Sequence, residues 1–274
     1  MNSFAADTAV ERVQPGSYRG VLASGWDIGG NANGGYMLAI VARAIAAETG
    51  RTDPVTITAH YLAPGRPGPV TVDVRVVKQG KRFGVATAAM HAGGQQLLQV
   101  LGTFGDLGQP GAGVERIESA PPALPPPAEC FGHRVEAGAP ALFGNVDLRL
   151  HPDDAGFASG RPSGQLRVRG WFRFGADEPV DTLGLLLAVD TFPPTSFNAN
   201  LPVAWTPTIE LTTHLRARPA PGWLRASFSS RFVSGGFIEE DGEVWDSTGR
   251  LVAQSRQLAL LPLVGSASAG QSSE

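Results

Sequence analysis

Asp190 has the most unusual surroundings of any carboxylate in this sequence. It ends the apolar run LGLLLAVD (183–190), shortly before Pro193. A carboxylate among apolar neighbours loses hydration, so its pKa should rise and it needs hydrogen-bond partners. An acid of this kind can act as a general base towards a water molecule. The alternative is an exposed aspartate that binds the backbone of the turn before Pro193.

A second candidate for chemistry is the glycine-rich segment GGNANGGYMLAIVARAIAAETG (29–50), which runs into an alanine-rich amphipathic stretch. Asn33 or Asn31 can cap a helix there, and Gly34 and Gly35 leave the amides of its first turn uncovered. Free N–H donors at a helix start favour an oxygen that gains negative charge during a reaction. The alternative is a close backbone crossing without a ligand, which glycine also permits.

The hydrophobic periodicity predicts one long helix and several antiparallel strands in each half of the chain. Helical spacing over 35–49 ends at Gly50, a natural stop. Alternation in VTVDVRVV and LRASFSSRF predicts half-buried strands. The apolar faces of these two strands would be Val70, Val72, Val74 and Val76, and Leu224, Ala226, Phe228 and Phe232. One apolar sheet face can cover one helix, so the fold class is α+β.

Two matching stretches indicate that the halves arose by duplication. One starts at His60 (HYLAPGRPGPVTVDVRVVKQGKRF) and the other at His214 (HLRARPAPGWLRASFSSRFVSGGF), and a single offset of 214 − 60 = 154 residues aligns them without a gap. The Pro- and Gly-rich segment between the halves predicts a linker. The predicted division is an N-terminal unit at 10–106, a linker at 107–130, a C-terminal unit at 131–263 and a disordered tail at 264–274.

Composition and charge argue against several classes of function. A formal charge of −3 over 274 residues gives no basic stripe, so we expect no nucleic-acid partner. No apolar stretch approaches the ~20 residues of a membrane span, and the N-terminus lacks the order of a secretion signal. A lone cysteine, Cys130, and histidines without an i,i+4 pair argue against zinc. We therefore expect a cytoplasmic protein that needs no metal or other cofactor.

Several segments, in this order, resemble the acyl-CoA thioesterase II family. GGNANGGYMLAIVARA resembles that family's Gly-Gly opening of the first central helix, and the stretch from His60 through VATAAMHAGGQQLLQV is similar to its next strands. GEVWDSTGRLVAQSRQLALL resembles its C-terminal hairpin. The resemblance covers most of both halves. It implies a double hot-dog fold, in which each of two central helices is wrapped by a curled antiparallel sheet.

The resemblance also implies a catalytic Asp, Thr and Gln that together hold and activate a water molecule. These match Asp190 in LLLAVDTFPP, Thr208 in PTIEL and Gln257 in TGRLVAQSRQ. Without the resemblance, Thr208 reads as an ordinary strand threonine, and Gln254 competes with Gln257. The sequence departs from the family at Glu210, where the family tends to aspartate, and in a shorter loop between helix and strand.

In paired hot-dogs, as the family implies, the helix start of one half faces residues of the other half. Asn33, Gly34 and Gly35 would then bind substrate beside the catalytic trio. The expected reaction is hydrolysis of acyl-CoA to a fatty acid and free coenzyme A, in which Asp190 activates the water. The duplicated position in the first half, around Tyr36, offers no carboxylate, so we expect that second site to be inactive.

Two other functions remain open at this point. One is a non-catalytic acyl or acyl-CoA binding protein that kept the fold. The other is an enoyl-CoA hydratase-like enzyme, whose chemistry usually requires an Asp–His pair. Exposed sheet edges are compatible with a homo-oligomer, and the sequence does not define the length of the acyl chain.

Overall fold

The computed structural model describes residues 3–108, 114–132, 139–175, 178–201 and 205–261. The tail predicted at 264–274 and residues 109–113 of the predicted linker lie outside the described residues. Within this part of the chain, the α-helices are α1 (Phe4–Asp7), α2 (Gly34–Thr49) and α3 (Gly184–Ala188). None of them is both long enough and apolar enough to cross a bilayer.

The strands divide between the two halves of the chain. Those of the first half are β1 (Glu11–Gln14), β2 (Ser17–Leu22), β3 (Asp27–Ile28), β4 (Asn31–Ala32), β5 (Asp53–Tyr61), β6 (Gly68–Gln79), β7 (Gly84–Ala92) and β8 (Gln95–Gly105). Those of the second half are β9 (Phe131–Gly132), β10 (Val146–Leu150), β11 (Arg167–Phe174), β12 (Thr208–Leu215), β13 (Leu224–Ser229), β14 (Val233–Ser234), β15 (Phe237–Trp245) and β16 (Leu251–Leu260).

In the described residues, fourteen of these strands form one antiparallel sheet. Its order is β1-β2-β6-β7-β8-β5-β12-β16-β15-β13-β11-β10-β9, with β14 paired to β15, while β3 and β4 pair separately. Each half thus contributes a contiguous block of strands, and β5 and β12 join the two blocks. The joined sheet places the start of β12 and the end of β5 beside each other, where the candidate residues lie.

The symmetry of the halves is visible where β5 pairs with β12. Thr58 lies directly opposite Thr212, and their hydroxyl oxygens are 2.8 Å apart in a hydrogen bond. Their numbers differ by 212 − 58 = 154, which is the offset found in the sequence. Antiparallel pairing around this pair brings equivalent residues of the two halves to symmetric positions. The register therefore supports the duplication, and it defines which residue of one half corresponds to which of the other.

Helix α2 begins and ends as its sequence predicts, within one residue. The Asn33 side chain accepts the Tyr36 N–H at 2.9 Å, and Gly50 adopts a left-handed conformation with φ 64°. Between these ends the helix packs against β5, β6, β7 and β8, and most of its side chains are buried in the hydrophobic core. The helix also packs against α3, and this contact sets its position relative to the second half.

The second-half helix is much shorter than the long helix that we expected in each half. Helix α3 has five residues, and Val189 and Asp190 form a turn after it. Pro193 and Pro194 follow closely, and proline cannot donate the backbone hydrogen bond that a continuing helix needs. The Thr191 hydroxyl instead donates to the Leu187 carbonyl at 2.7 Å. Asp190 therefore lies in the turn just beyond the helix.

The predicted alternation is confirmed along most of β6 and β13. The residues buried on the inner faces of these strands are Val70, Val72 and Val74, and Leu224, Ala226 and Phe228. The prediction was wrong at both strand ends. Val76 is 37% exposed because a register shift separates it from Lys78, and Phe232 is 63% exposed because β13 ends at Ser229.

Candidate active site

The Asp190 carboxylate is held by the start of helix α2, which belongs to the other half of the chain. Its Oδ2 accepts the backbone N–H of Gly35 at 2.8 Å and the Asn33 Nδ2 at 2.9 Å. The same Asn33 amide donates to the Asp190 carbonyl at 2.8 Å. Asn33 thus caps helix α2 through its oxygen and holds Asp190 through its nitrogen. The predicted proximity of Asn33, Gly35 and Asp190 is present in the structure.

Burial dominates the acidity of Asp190. It raises the pKa of this carboxyl from 3.8 to about 6, although hydrogen bonds from Gly35, Asn33 and Gly34 act in the opposite direction. The donors are uncharged, so they stabilise the anion less than a salt bridge would. Asp190 is consequently ionised at neutral pH and remains basic enough to accept a proton.

Gly34 and Gly35 are required by close packing around Asp190. A Cβ atom on Gly34 would lie 2.7 Å from Tyr61 Cε1 and 3.0 Å from Asp190 Oδ2. A Cβ atom on Gly35 would lie 2.3 Å from the Leu186 carbonyl oxygen, which is backbone and cannot move aside. Close packing therefore explains both glycines, against side chains at Gly34 and against backbone at Gly35. It also brings the first-turn amides onto a carboxylate, as the positive end of a helix favours.

Thr208 and Gln257 form a pair on the second-half strands. Gln257 Nε2 donates to Thr208 Oγ1 at 2.5 Å. Gln257 lies opposite Leu211, whose side chain is fully buried, so the glutamine is on the inner face of the sheet. Gln254 lies opposite the exposed His214, on the outer face. The geometry thus favours Gln257 over Gln254 for a role inside the molecule.

Glu240 is an acid of this region that sequence reasoning missed. Strand β15 places it directly opposite Gln257, and its Oε2 accepts the Thr195 N–H at 2.9 Å. Burial raises its pKa to about 7, and the nearby charge of Asp190 contributes to the rise. The sequence did contain a signal for it. Side chains two residues apart on a strand share a face, so Glu240 lies on the same face as Ile238, an apolar residue that is 3% exposed.

Tyr61 was also missed, because tyrosines are common at strand ends. Its ring lies against Gly34, and its buried hydroxyl has no hydrogen-bond partner among the described residues. Burial raises the pKa of this phenol well above 10, and the charges of Asp190 and Glu210 add to the effect. The phenol is therefore a neutral, unused donor beside the carboxylate.

The predicted residues form two separate hydrogen-bonded sets, and Glu240 is the residue that interacts with both. Asp190 hydrogen-bonds to Asn33 and Gly35, whereas Thr208 and Gln257 hydrogen-bond to each other. Glu240 faces Gln257 in the ladder and is close enough to Asp190 to respond to its charge. The resulting cluster contains acids and neutral donors.

In the described residues, no group of three or more His, Cys, Asp or Glu side chains has the geometry to hold a metal ion.

Comparisons with known proteins agree across both halves of the chain. A model of the acyl-CoA thioesterase N-terminal domain matches residues 22–105, and a model of the acyl-CoA thioesterase C-terminal domain matches residues 118–261. An uncharacterized protein of Mycobacterium tuberculosis is 32% identical over 270 residues, covering 89% of this chain and 91% of its own length.

Solved structures give the same answer for the fold. A protein of Thermobifida fusca named as a candidate thioesterase II has a TM-score of 0.86 and 33% identity, covering 95% of this chain and 97% of its own. A protein of unknown function from Alicyclobacillus acidocaldarius, described as having a hot dog fold, has a TM-score of 0.84 and 20% identity over 95% of this chain and 98% of its own. The chain therefore has the hot-dog fold and belongs to the acyl-CoA thioesterase family.

Proposed function

We propose that this protein hydrolyses acyl-CoA thioesters to a fatty acid and free coenzyme A. The observation that carries the proposal is the Asp190 carboxylate, which is buried enough to have a pKa of about 6 and is held by the helix start of the other half. Family membership supports thioester hydrolysis in general. The assignment of roles to individual residues is our own inference from the geometry.

In the proposed mechanism, Asp190 removes a proton from a water molecule as the water oxygen attacks the thioester carbonyl. A base with a pKa near the working pH is efficient, because it is largely ionised and still attracts a proton. Thr208 and Gln257, already paired through Oγ1 and Nε2, orient that water. A thioester is electrophilic without activation by a metal, so these residues suffice for the chemistry.

Asn33, Gly34 and Gly35 form the substrate-facing wall of the proposed site. In the absence of substrate, the Gly35 amide and the Asn33 side chain stabilise the Asp190 anion. Gly34 has no side chain, so the Tyr61 ring and the Asp190 carboxylate can both lie close to the start of the helix. The neutral Tyr61 phenol lies beside Gly34 and can donate to a carbonyl oxygen that becomes negative.

The finer details of the architecture belong to the same proposal. We propose a double hot-dog with units at 10–106 and 131–263, joined by a linker at 107–130, in which both sheets curl around their helices. The pairing of β5 with β12 and the symmetric Thr58–Thr212 contact support this division. A cytoplasmic location, a role in lipid metabolism and assembly into a homo-oligomer remain predictions from the sequence.

The hydratase alternative is disfavoured by the partners of Asp190. Its carboxylate binds an asparagine and a backbone amide, whereas hydratase chemistry would pair it with a histidine. His60 and His214 occupy equivalent positions on β5 and β12, and both are exposed. A non-catalytic binding protein is the remaining alternative, and only an activity measurement separates it from an enzyme.

A thiol-release assay tests the proposal. The purified protein is incubated with saturated acyl-CoA substrates of increasing chain length and, separately, with an enoyl-CoA. We expect release of free thiol from saturated substrates, and a loss of about 10²-fold or more in Asp190→Asn with ligand binding retained. Asp241→Asn, which removes an exposed carboxylate paired with Arg256, is the control. Binding without thiol release from any substrate would overturn the proposal, as would full activity in Asp190→Asn.

A further inference from the structure

Glu240 has the surroundings of a proton carrier and none of those of a structural ion pair. Its polar partner is the Thr195 backbone N–H, and the charged groups acting on it are Asp190, in the turn after α3, and Glu239, its own neighbour on β15. All three side chains are acidic. A buried carboxyl among acids, without a cation to balance it, keeps its proton more firmly than an exposed one.

The two site acids differ in what stabilises their anions. Asp190 accepts hydrogen bonds from Gly35 and Asn33, whereas Glu240 accepts from Thr195. Burial raises the pKa of Asp190 to about 6 and that of Glu240 to about 7, and the Asp190 charge is one cause of the second rise. Asp190 therefore ionises first, and Glu240 keeps its proton to higher pH. The pair titrates as a coupled unit.

The sheet register also places Glu240 beside the residues that we propose to orient the attacking water. It faces Gln257 across the β15–β16 ladder, and Gln257 binds Thr208. The Glu240 backbone position is fixed by the sheet, and its carboxyl is fixed by the amide at Thr195. If water attacks the carbonyl from the Asp190 side, an acid on β15 is available to protonate the group that leaves.

Resting on the thioester hydrolysis proposed above, we propose that Glu240 donates the proton to the sulfur of the leaving coenzyme A. Asp190 takes one proton from water while the water oxygen bonds to the carbonyl carbon. The carbon–sulfur bond then breaks, and Glu240 gives its proton to the sulfur to form the free thiol. The proton on Asp190 passes to the Glu240 carboxylate, which restores both acids. The products are the fatty acid and coenzyme A, with no net change in the protein.

This role predicts a dependence on the leaving group that a structural role does not. The thiolate of an alkyl thiol such as coenzyme A is more basic than an aryl thiolate, so its departure is helped by protonation of the sulfur, whereas an aryl thiol leaves as a stable thiolate. We expect Glu240→Gln to lower kcat/KM for acyl-CoA by about 10²-fold. The same variant should retain kcat/KM within about threefold for the S-phenyl thioester of the same acyl group, because general-acid help is then unnecessary.

Two further variants complete the design. Glu243→Gln changes an acid of the same strand that lies opposite Gln254 and whose Oε2 accepts the Ser119 hydroxyl, and it should leave the rates on both substrates unchanged. Asp190→Asn should lower the rate of hydrolysis of both substrates, because both need an activated water. An Asp190→Asn variant with full activity contradicts the proposed function itself. An impaired Asp190→Asn together with equal losses on both substrates in Glu240→Gln contradicts only the proton-donor role.

The ratio of the rates on the two substrates does not depend on how much of the variant folds, because misfolded protein lowers both rates equally. If Glu240→Gln does not fold at all, the wild-type protein gives the same information. Its rate on acyl-CoA should decline relative to its rate on the S-phenyl thioester as pH rises above about 7, where Glu240 loses its proton. A constant ratio between pH 6 and 9 would overturn the inference.

Discussion

The same three sheet positions carry polar residues in the second half and apolar or small residues in the first. Gln257 lies opposite Leu211, and the equivalent of Leu211 is residue 211 − 154 = 57, which lies opposite Gly102. By the same ladders, Glu240 corresponds to Ala86. Thr208 corresponds to Pro54, since 208 − 154 = 54. Equivalent positions of the two halves thus hold a polar cluster in one half and apolar or small residues in the other.

Phe104 explains why the first-half position cannot hold a glutamine. A Cβ atom on Gly102 would lie 2.8 Å from the Phe104 ring, which is fully buried. The ring therefore occupies the space that the Gln257 side chain occupies in the other half. Helix α2 likewise has Glu48 as its one acidic residue, close to its C-terminal end. At these positions the first half has apolar or small residues, whereas the second half has polar ones.

Two acids of the molecule show the same contrast in their electrostatics. At Asp53, burial opposes ionisation, but hydrogen bonds from Arg218, Leu107 and Thr182 outweigh it and lower the pKa below its usual value. Arg218 Nη2 lies 2.8 Å from Asp53 Oδ2. Asp190 has neutral donors, and burial prevails. Asp53 is thus paired with a cation from the other half, whereas the hydrogen-bond donors to Asp190 carry no charge.

The substitution Gly35→Ala should have the largest effect, because it breaks the contact between the halves at the polar site. The added methyl would lie 2.3 Å from the Leu186 carbonyl oxygen and 3.0 Å from Asp190 Cβ, so α2 and α3 must separate. Displacement by about 1 Å can cost about 10²-fold in rate, and overpacking costs ~1–3 kcal/mol in stability. Thiol release and urea denaturation measure the two effects. Wild-type activity in Gly35→Ala would show that this contact does not position Asp190.

Gln257→Ala should lower kcat by about 10²-fold, because the water loses one of its two orienting groups and Thr208 loses its partner. The matched variant is Gln254→Ala on the outer face of the same strand, which should change kcat by less than about twofold, since surface substitutions have small effects. Steady-state thiol release compares them. Equal losses in both variants would mean that the inner face of β16 has no special role.

Asp190→Asn should stabilise the folded protein at neutral pH while it abolishes turnover. The folded pKa of Asp190, about 6, exceeds the ordinary value of 3.8, so folding takes up a proton between these values. Stability contributed by this group therefore falls as pH rises from about 4 to about 6. Asparagine does not ionise. Above pH 6, the free energy of unfolding of the variant should therefore exceed that of the wild type by ~1–2 kcal/mol, after allowance for partial exposure. Urea denaturation at pH 4.5 and 7.5 should show the gain at the higher pH alone.

Ala86→Ser should have the smallest effect, because it alters the first-half counterpart of Glu240. Ala86 is fully buried, so an added hydroxyl costs ~1 kcal/mol in stability if it finds no partner. Its position lies outside the polar site, so kcat should change by less than about twofold. A loss of tenfold or more, measured with the same acyl-CoA, would show that both halves take part in catalysis.

The sequence allowed the contents of the site to be predicted better than its geometry. Strand alternation and the helix start at Asn33 depend on local preferences, so they were found within a residue or two. The length of α3 was mispredicted because Pro193 and the Thr191 side chain end it after five residues, although the apolar run continues. A run of apolar residues shows burial but not helix length.

Contacts between distant strands were the hardest features to predict. Glu240 and Gln257 are neighbours only because β15 and β16 pair in one register, and a shift of one residue would turn Glu240 to the outer face. Tyr61 gains its significance from Gly34, which lies on a helix of the same half but a distant part of the sequence. Gln254 and Gln257 could be separated only after their ladder partners were known.

The pH dependence of kcat/KM for acyl-CoA hydrolysis tests the central claim most directly. Above about pH 7, log kcat/KM should fall as the proposed proton donor Glu240 ionises. If ionised Asp190 is the base, log kcat/KM should rise with unit slope up to about pH 6, where the Asp190 carboxyl pKa sets an inflection. Asn33→Ala removes a hydrogen bond to the anion, so it should move this inflection to higher pH. A profile that is flat from pH 4.5 to 6.5, or an inflection unmoved by Asn33→Ala, would contradict the account.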